Sequence, residues 1–264
     1  MSTIPHDYYL KFCEGKVLEN IHEFHYQGNY LIHQALSDYS YLHNIQEKDL
    51  EKLTGNELSL YPGLDVSCGQ YSRNEEELIE QLKRERSCAN FIRKDLSFET
   101  IKRLCSPLLT VDENYYRGYP SGGALYPVET FIFSLGSPQD WPCDERVLHL
   151  LNRKKTFEPI QETSNTERLT EAILPHGSNI GTPSAAIIFV AYIPKTSFKY
   201  RYRGYRLALM EAGSMYMLLD LNSKALGLKN RVWSGYSDVM ICKHLGLNPT
   251  LFFPMAVQFF GYQA

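Results

Sequence analysis

The densest run of reactive side chains lies between Ser197 and Gly213, Ser-Phe-Lys-Tyr-Arg-Tyr-Arg-Gly-Tyr-Arg-Leu-Ala-Leu-Met-Glu-Ala-Gly. Lys199, Arg201 and Arg203 are spaced two apart, and so are Tyr200 and Tyr202. In an extended segment that period places the cations on one face and the tyrosines on the other. Gly204 is the expected point of a sharp turn, and Arg206 to Leu226 reads as one long helix. A face this basic calls for an anionic partner, a chemical task or open solvent. The same spacing also fits a solvated edge strand with snorkelling Lys and Arg.

Two further stretches carry information. In Tyr119-Pro-Ser-Gly-Gly-Ala-Leu-Tyr-Pro127, adjacent glycines let backbone N–H groups approach a flat or anionic ligand that a Cβ would repel, and a proline stiffens each end. The pattern is neither a Walker phosphate loop nor a dinucleotide-binding turn, and an ordinary loop fits it too. In Gly227-Leu-Lys-Asn-Arg-Val-Trp-Ser-Gly-Tyr-Ser-Asp238, Gly227 ends the long helix and Trp233-Ser234-Gly235 turns the chain toward a helix capped by Ser237. An incidental helix–helix connection would look the same.

The elements that must position these residues read as α+β. Val128 to Leu135 and Val147 to Leu151 alternate as strands, Ala185 to Ile193 is apolar enough to be buried on both faces, and Phe252 to Phe260 is a last strand. Helices are expected over Tyr8 to Gln27, from an Asn74 cap through Glu75 to Arg86, from Ser97 to before Pro107, over Thr166 to Leu174, and from Ser237 to Gly246. Residues 1–83 are polar, aromatic-rich and weakly patterned, and read as an N-terminal extension that either offers a docking surface for partner subunits or simply wraps the core. Residues 84–264 read as the functional domain. His22 and His25 have helical metal-ligand spacing without an acidic or His partner nearby, so no metal site is expected.

Composition narrows the class. The 264 residues carry a formal net charge of −3, against a general nucleic-acid binder or a membrane-surface protein. Six scattered cysteines show no Cys-x-x-Cys pair, the opening residues do not read as a signal peptide, and no apolar run approaches a membrane span. A reduced cytosolic protein is expected.

On Arg84-Glu-Arg-Ser87, Tyr119 to Pro127, Phe198 to Tyr216, Leu228 to Gly235 and Phe259-Phe260-Gly261, the chain resembles a known family. It is similar to the nitroreductase-fold, FMN-dependent azoline dehydrogenases of thiazole/oxazole peptide synthesis, above all the dehydrogenase subunit of the microcin synthetases. The likeness spans roughly residues 84–261. It implies a central, mostly antiparallel sheet flanked by helices, with FMN at a homodimer interface. It also implies a ribosomally made precursor peptide as substrate, and a cyclodehydratase and a leader-binding subunit as partners.

Carried residue by residue, the resemblance gives Arg86 and Ser87, with Arg84, to the FMN phosphate. The usual second basic residue is replaced by Ala89, so Arg203, Arg206 or Arg231 must compensate. Ser121, Gly122 and Gly123 would face the isoalloxazine, and the Trp233-Ser234-Gly235 turn would set a backbone N–H near flavin N5. Met217-Leu218 stands where many relatives have Gln-Asn. Lys199 and Tyr200 match the family's catalytic pair. An azoline becomes an azole by losing a ring proton and a hydride, so a base is needed. A free Lys, with a pKa of ~10.4, is a poor base at neutral pH. Desolvation and the cations of Arg201 and Arg203 would make Lys199 a better one, and the same cations would lower the Tyr200 hydroxyl, so either residue fits the role. Two other functions fit parts of the pattern: a free-standing NAD(P)H-dependent flavin reductase, and an assembly subunit without flavin.

Overall fold

A computed structural model describes residues 7–29, 46, 49, 63, 67, 69, 72–111, 116–137, 139–142, 147–160 and 166–263. The chain divides into two compact units, Met1–Tyr30 with Arg84–Ala264, and Leu31–Lys83. Residues 7–29 thus belong to the larger unit and not to a separate N-terminal one. In the smaller unit the described helix is α2 (Arg73–Leu82), which starts at a Ser72–Glu75 capping box rather than at Asn74. It ends before Arg84, so Arg84, Arg86 and Ser87 lie beyond its end, outside any helix or strand. Cys68 and Cys143 fall outside the described residues.

The larger unit is built on an antiparallel sheet of β1 (Phe91–Ile92), β2 (Val128–Ser134), β3 (Val147–Leu151), β4 (Thr156–Pro159), β5 (Ala185–Tyr192), β6 (Lys229–Trp233) and β7 (Phe252–Gln263). The order is β1-β7-β5-β2-β3-β4, with β6 also on β7. β5 pairs with β2 on one edge and β7 on the other, and all eight of its residues are buried. Its side chains alternate between two cores. Ile187, Phe189 and Ala191 pack with Ala208, Ala212, Met215 and Leu219 of the long helix α6 (Tyr202–Ala225). Ile188 and Val190 pack with Leu169 and Ile173 of α4 (Thr166–Ile173) and Ile241 of α7 (Asp238–His244). Burying each of these large apolar side chains contributes about 1.5–3 kcal/mol. Helices α1 (Gly15–Gln27) and α3 (Phe98–Cys105) complete the α6 side.

The segment expected to be extended is helical. Pro194 starts α5 (Pro194–Tyr200), its fixed φ suiting a first helical turn. Thr196 and Ser197 are buried, and Phe198 packs on Tyr9 and Phe12. The sharp turn falls at Arg201, with φ 51° and ψ −132°, a conformation that costs an L-residue of order 1–3 kcal/mol. Gly204 lies inside α6, where its missing Cβ lets the two helices touch. Period two in the sequence therefore does not make two faces. Arg201 pairs with Glu14, the Tyr202 hydroxyl accepts from Asn20 Nδ2 at 2.8 Å, and Tyr200 turns elsewhere. Gly227 does stop α6, at φ 68°. The stretch 229–233, read as a connection, is a strand. Among the described residues no group of three or more His, Cys, Asp or Glu is arranged for a metal, and no helix is long and apolar enough to cross a membrane.

Candidate active site

The Ser121–Gly123 loop meets α5 and α6. Leu207 packs on Gly122, where a Cβ would lie 2.9 Å from its Cδ1. At Gly123, φ is 63°, and a Cβ would lie 2.6 Å from Tyr200 Oη and 3.0 Å from Lys199 Nζ. Both proposed catalytic groups thus converge over one glycine. Lys199 Nζ also stands 5.1 Å from the Tyr200 ring centroid. Lys199 is exposed and Tyr200 is half-buried. Arg201 does not share that face. Arg203 falls on the α6 stripe 203-207-211-218 that borders the loop, since residues four apart on a helix are neighbours. Arg206 stands about 100° off the stripe.

A second group lies along β6. Arg84 Nη2 donates to Ser87 Oγ at 3.2 Å and approaches the buried Asp220 at 3.5 Å. Neither Asp220 carboxylate oxygen has a hydrogen-bond partner among the described residues. Arg231 Nη1 donates to the Cys88 carbonyl at 3.0 Å, and Cys88 N donates to the Asn230 carbonyl at 2.9 Å, which fastens the Ser87 segment to β6. Of the three cations that could supplement Arg86 and Ser87, Arg231 is the one bonded to this segment, at the Cys88 carbonyl next to Ser87. Arg203 and Arg206 are at the other end of α6, about 26 Å and about 21 Å along its axis from Asp220 at 1.5 Å per residue. Farther along β6, Trp233 Nε1 donates to the Gly235 carbonyl at 2.8 Å and fixes the turn on itself.

The two groups flank α6 on different sides. Leu207 and Glu211 face the glycine loop. Tyr205 and Leu209, about 200° from Leu207, line a cleft of about 410 Å³ with Ser234, Tyr236, Asp238 and Met255. In that cleft the His25 ring lies between the Tyr205 hydroxyl at 3.1 Å and Asp238 at 3.3 Å, stacked on Phe253 at 4.2 Å. His25 is therefore packed on Phe253 and bonded to Tyr205, and the fold gives it an acidic neighbour, Asp238, that the sequence around it does not show.

Sequence reasoning missed Glu211. It is 2% exposed, accepts from the Ser121 hydroxyl and takes the Val128 amide at 3.2 Å. Burial pushes its pKa up to about 7, against the Ser121 and Val128 bonds and the charges of Arg117 and Lys195. The available signal was a lone acid inside the apolar stretch 207–219. Glu129 on β2 behaves oppositely. Burial alone would raise it, yet Lys195 and His149, each at 3.3 Å, hold it near 2.

This geometry suits FMN. The unsubstituted Gly123, the amides of Gly122, Gly123, Ser234 and Gly235 that meet no acceptor among the described residues, and the Arg86, Ser87 and Arg231 donors match a flat ring and a phosphate.

No protein-family model matches the chain. Among solved structures, a putative nitroreductase from Ralstonia eutropha JMP134 superposes with a TM-score of 0.60 at 16% identity, over 77% of this chain and 88% of that one. The E. coli microcin synthetase McbBCD complex with truncated pro-MccB17 bound contains a chain that superposes with a TM-score of 0.83 at 33% identity, covering 99% of this chain and 98% of that one. The protein thus has the nitroreductase fold. The microcin B17-processing protein McbC of Escherichia coli is 35% identical over 257 residues, 95% of this chain and 92% of that protein. The chain belongs to the McbC family, which bears out the resemblance read from the sequence.

Proposed function

We propose that this protein is the FMN-dependent azoline dehydrogenase of a microcin-type synthetase, oxidising thiazoline or oxazoline rings in a precursor peptide. The observation that carries the reading is the convergence of Lys199 Nζ and Tyr200 Oη over Gly123. Membership in the McbC family and the likeness to a chain of a peptide-bound synthetase complex support it. Cyclodehydratase and leader-binding subunits are the partners it would work with, in the cytoplasm.

Arg86, Ser87 and Arg231, with Arg84 orienting Ser87, would hold the FMN phosphate. Ser121, Gly122, Gly123 and Arg203 would border the ring on one side, and the Ser234 and Gly235 amides on the other. Because α6 separates these groups within one chain, a second copy would complete each site, the loop of one protomer meeting the turn of its partner. Bound FMN would supply hydride acceptance. The chain's own task is then the ring proton, taken by Lys199 Nζ or Tyr200 Oη, with the other group orienting the ring.

The test is direct. Purified protein given FMN should show a bound-flavin absorption spectrum, and cyclised peptide treated with it should lose two hydrogens per ring by mass spectrometry. Lys199→Ala and Tyr200→Phe should keep the flavin and lower azole formation by roughly 10²-fold or more. Wild-type rates in both variants would remove the assignment. NADPH-driven nitroaromatic reduction without azole formation would favour a free-standing reductase.

A further inference from the structure

Glu211 takes no part in the chemistry above, yet it is the only acid in the stretch 207–219 and is almost wholly buried. Its Oε2 accepts from the Ser121 hydroxyl and its Oε1 from the Val128 amide. Ser121 Oγ in turn accepts from the Tyr126 amide at 2.9 Å. One buried carboxyl therefore ties together both ends of the loop 121–127. That loop needs tying: Gly123, Ala124 and Tyr126 have φ of 63°, 53° and 49°, and two of the three are not glycine. Left-handed backbone at L-residues persists only where surroundings over-determine it.

We propose that Glu211 is the positioning residue of the catalytic loop: by binding Ser121 and Val128 at once, it holds Gly122 and Gly123 beneath Lys199 and Tyr200. The reaction it serves rests on the function proposed above, although the contacts themselves do not. An ionised carboxylate accepts at both oxygens, whereas a Gln has one accepting end, and its NH2 must donate to Ser121 Oγ and turn the serine proton away, as the protonated acid would. The charged and titratable groups that act on it are Arg117 and Tyr119 from the segment before the loop and Lys195 from α5, while Glu129 on β2 acts on Tyr119. None pairs with it directly, so the Ser121 and Val128 bonds are its fixed partners.

Its ionisation also sets what Ser121 presents. Ionised, Glu211 accepts the Ser121 hydroxyl proton. Protonated, it donates to Ser121 Oγ, which already accepts from Tyr126, and the serine's own proton is released for another acceptor. With its pKa pushed up by burial to about 7, the carboxyl crosses between these states in the neutral range.

The test compares Glu211→Gln with wild type by amide hydrogen exchange of flavin-free protein and by steady-state oxidation of a cyclised peptide with FMN added. Exchange at Tyr126 and Val128 should rise at least about tenfold while the β5 amides keep wild-type protection. kcat should fall at least about tenfold with KM within about twofold, and the change in wild-type kcat between pH 6 and 8 should flatten. Glu211→Asp should recover part of the pH response. If Glu211→Gln does not fold, Ser121→Ala should raise the same two exchange rates. Unchanged loop exchange with an unchanged kcat profile would overturn the proposal. If wild type oxidises no azoline peptide, the functional reading has failed, and the exchange data alone decide the role of Glu211.

Discussion

Gly204 and Thr196 meet backbone to backbone: a Cβ on the glycine would lie 3.0 Å from the Thr196 carbonyl carbon and 3.1 Å from Ser197 N. This approach lets α5 return against α6 immediately after the Arg201 turn, so that Lys199 and Tyr200 reach the glycine loop. Backbone cannot yield as a side-chain tip can. Gly204→Ala should therefore cost about 1–3 kcal/mol, seen as a fall in thermal midpoint of roughly 2–4 °C per kcal/mol. It should also lower azole formation, because moving α5 moves both proposed catalytic groups. A Gly204→Ala protein with wild-type midpoint and rate would show that the helices do not depend on this approach.

Gly123→Ala should behave differently. The atoms a new Cβ would meet are the mobile ends of Tyr200 and Lys199, and the position already has φ 63°. The fold should survive with a loss of about 1–2 kcal/mol, while turnover falls at least about tenfold because both proposed catalytic groups are displaced. Circular dichroism and turnover measured together separate the two effects. Equal retention of both would mean that the ring does not bind against Gly123.

The separation of the two candidate half-sites by α6 makes a mixing experiment informative. Lys199→Ala damages the loop side and Arg231→Ala the β6 side. If each site is shared between two protomers, unfolding and refolding the inactive variants together should restore about a quarter of wild-type activity, from the one intact site in each mixed dimer. No recovery would place both halves of a site in one chain.

Two buried carboxyl groups predict opposite pH effects on stability. Glu129 titrates near 2 in the fold against 4.5 unfolded, so its contribution is full above 4.5 and is lost as pH falls through 2. Glu211 titrates near 7 against 4.5, so its contribution is full below 4.5 and is lost as pH rises through 7. Each difference corresponds to about 3 kcal/mol. Urea unfolding at pH 3, 5.5 and 8 should show Glu129→Gln reducing the acid-side loss and Glu211→Gln reducing the loss above pH 5.5. Parallel profiles for wild type and both variants would contradict this.

What was legible in the sequence follows from how local its causes are. β5 announces itself because a strand buried on both faces is apolar throughout, and Gly227 because only a left-handed residue stops the helix there. The stretch 194–204 misled because its alternation is real, whereas the helix is set by Pro194 and by burial of Thr196 and Ser197 against α6. β6 was hidden because Lys229, Asn230 and Arg231 are polar and the strand is held by pairing with β7. The resemblance supplied Lys199, Tyr200 and the loop as site residues. Their meeting at Gly123 depends on tertiary packing between positions more than seventy apart, and no local pattern encodes it.

The order of the strands also has a consequence during synthesis. β7 completes the pairing of β5, β6 and β1, yet it leaves the ribosome some 60 residues after β5. At about 5–20 residues per second, β5, apolar and buried along its whole length in the fold, waits roughly 3–12 s with one edge open. During that interval the nascent chain is at its most prone to aggregate, and slower translation past residue 192 should lower the yield of soluble protein.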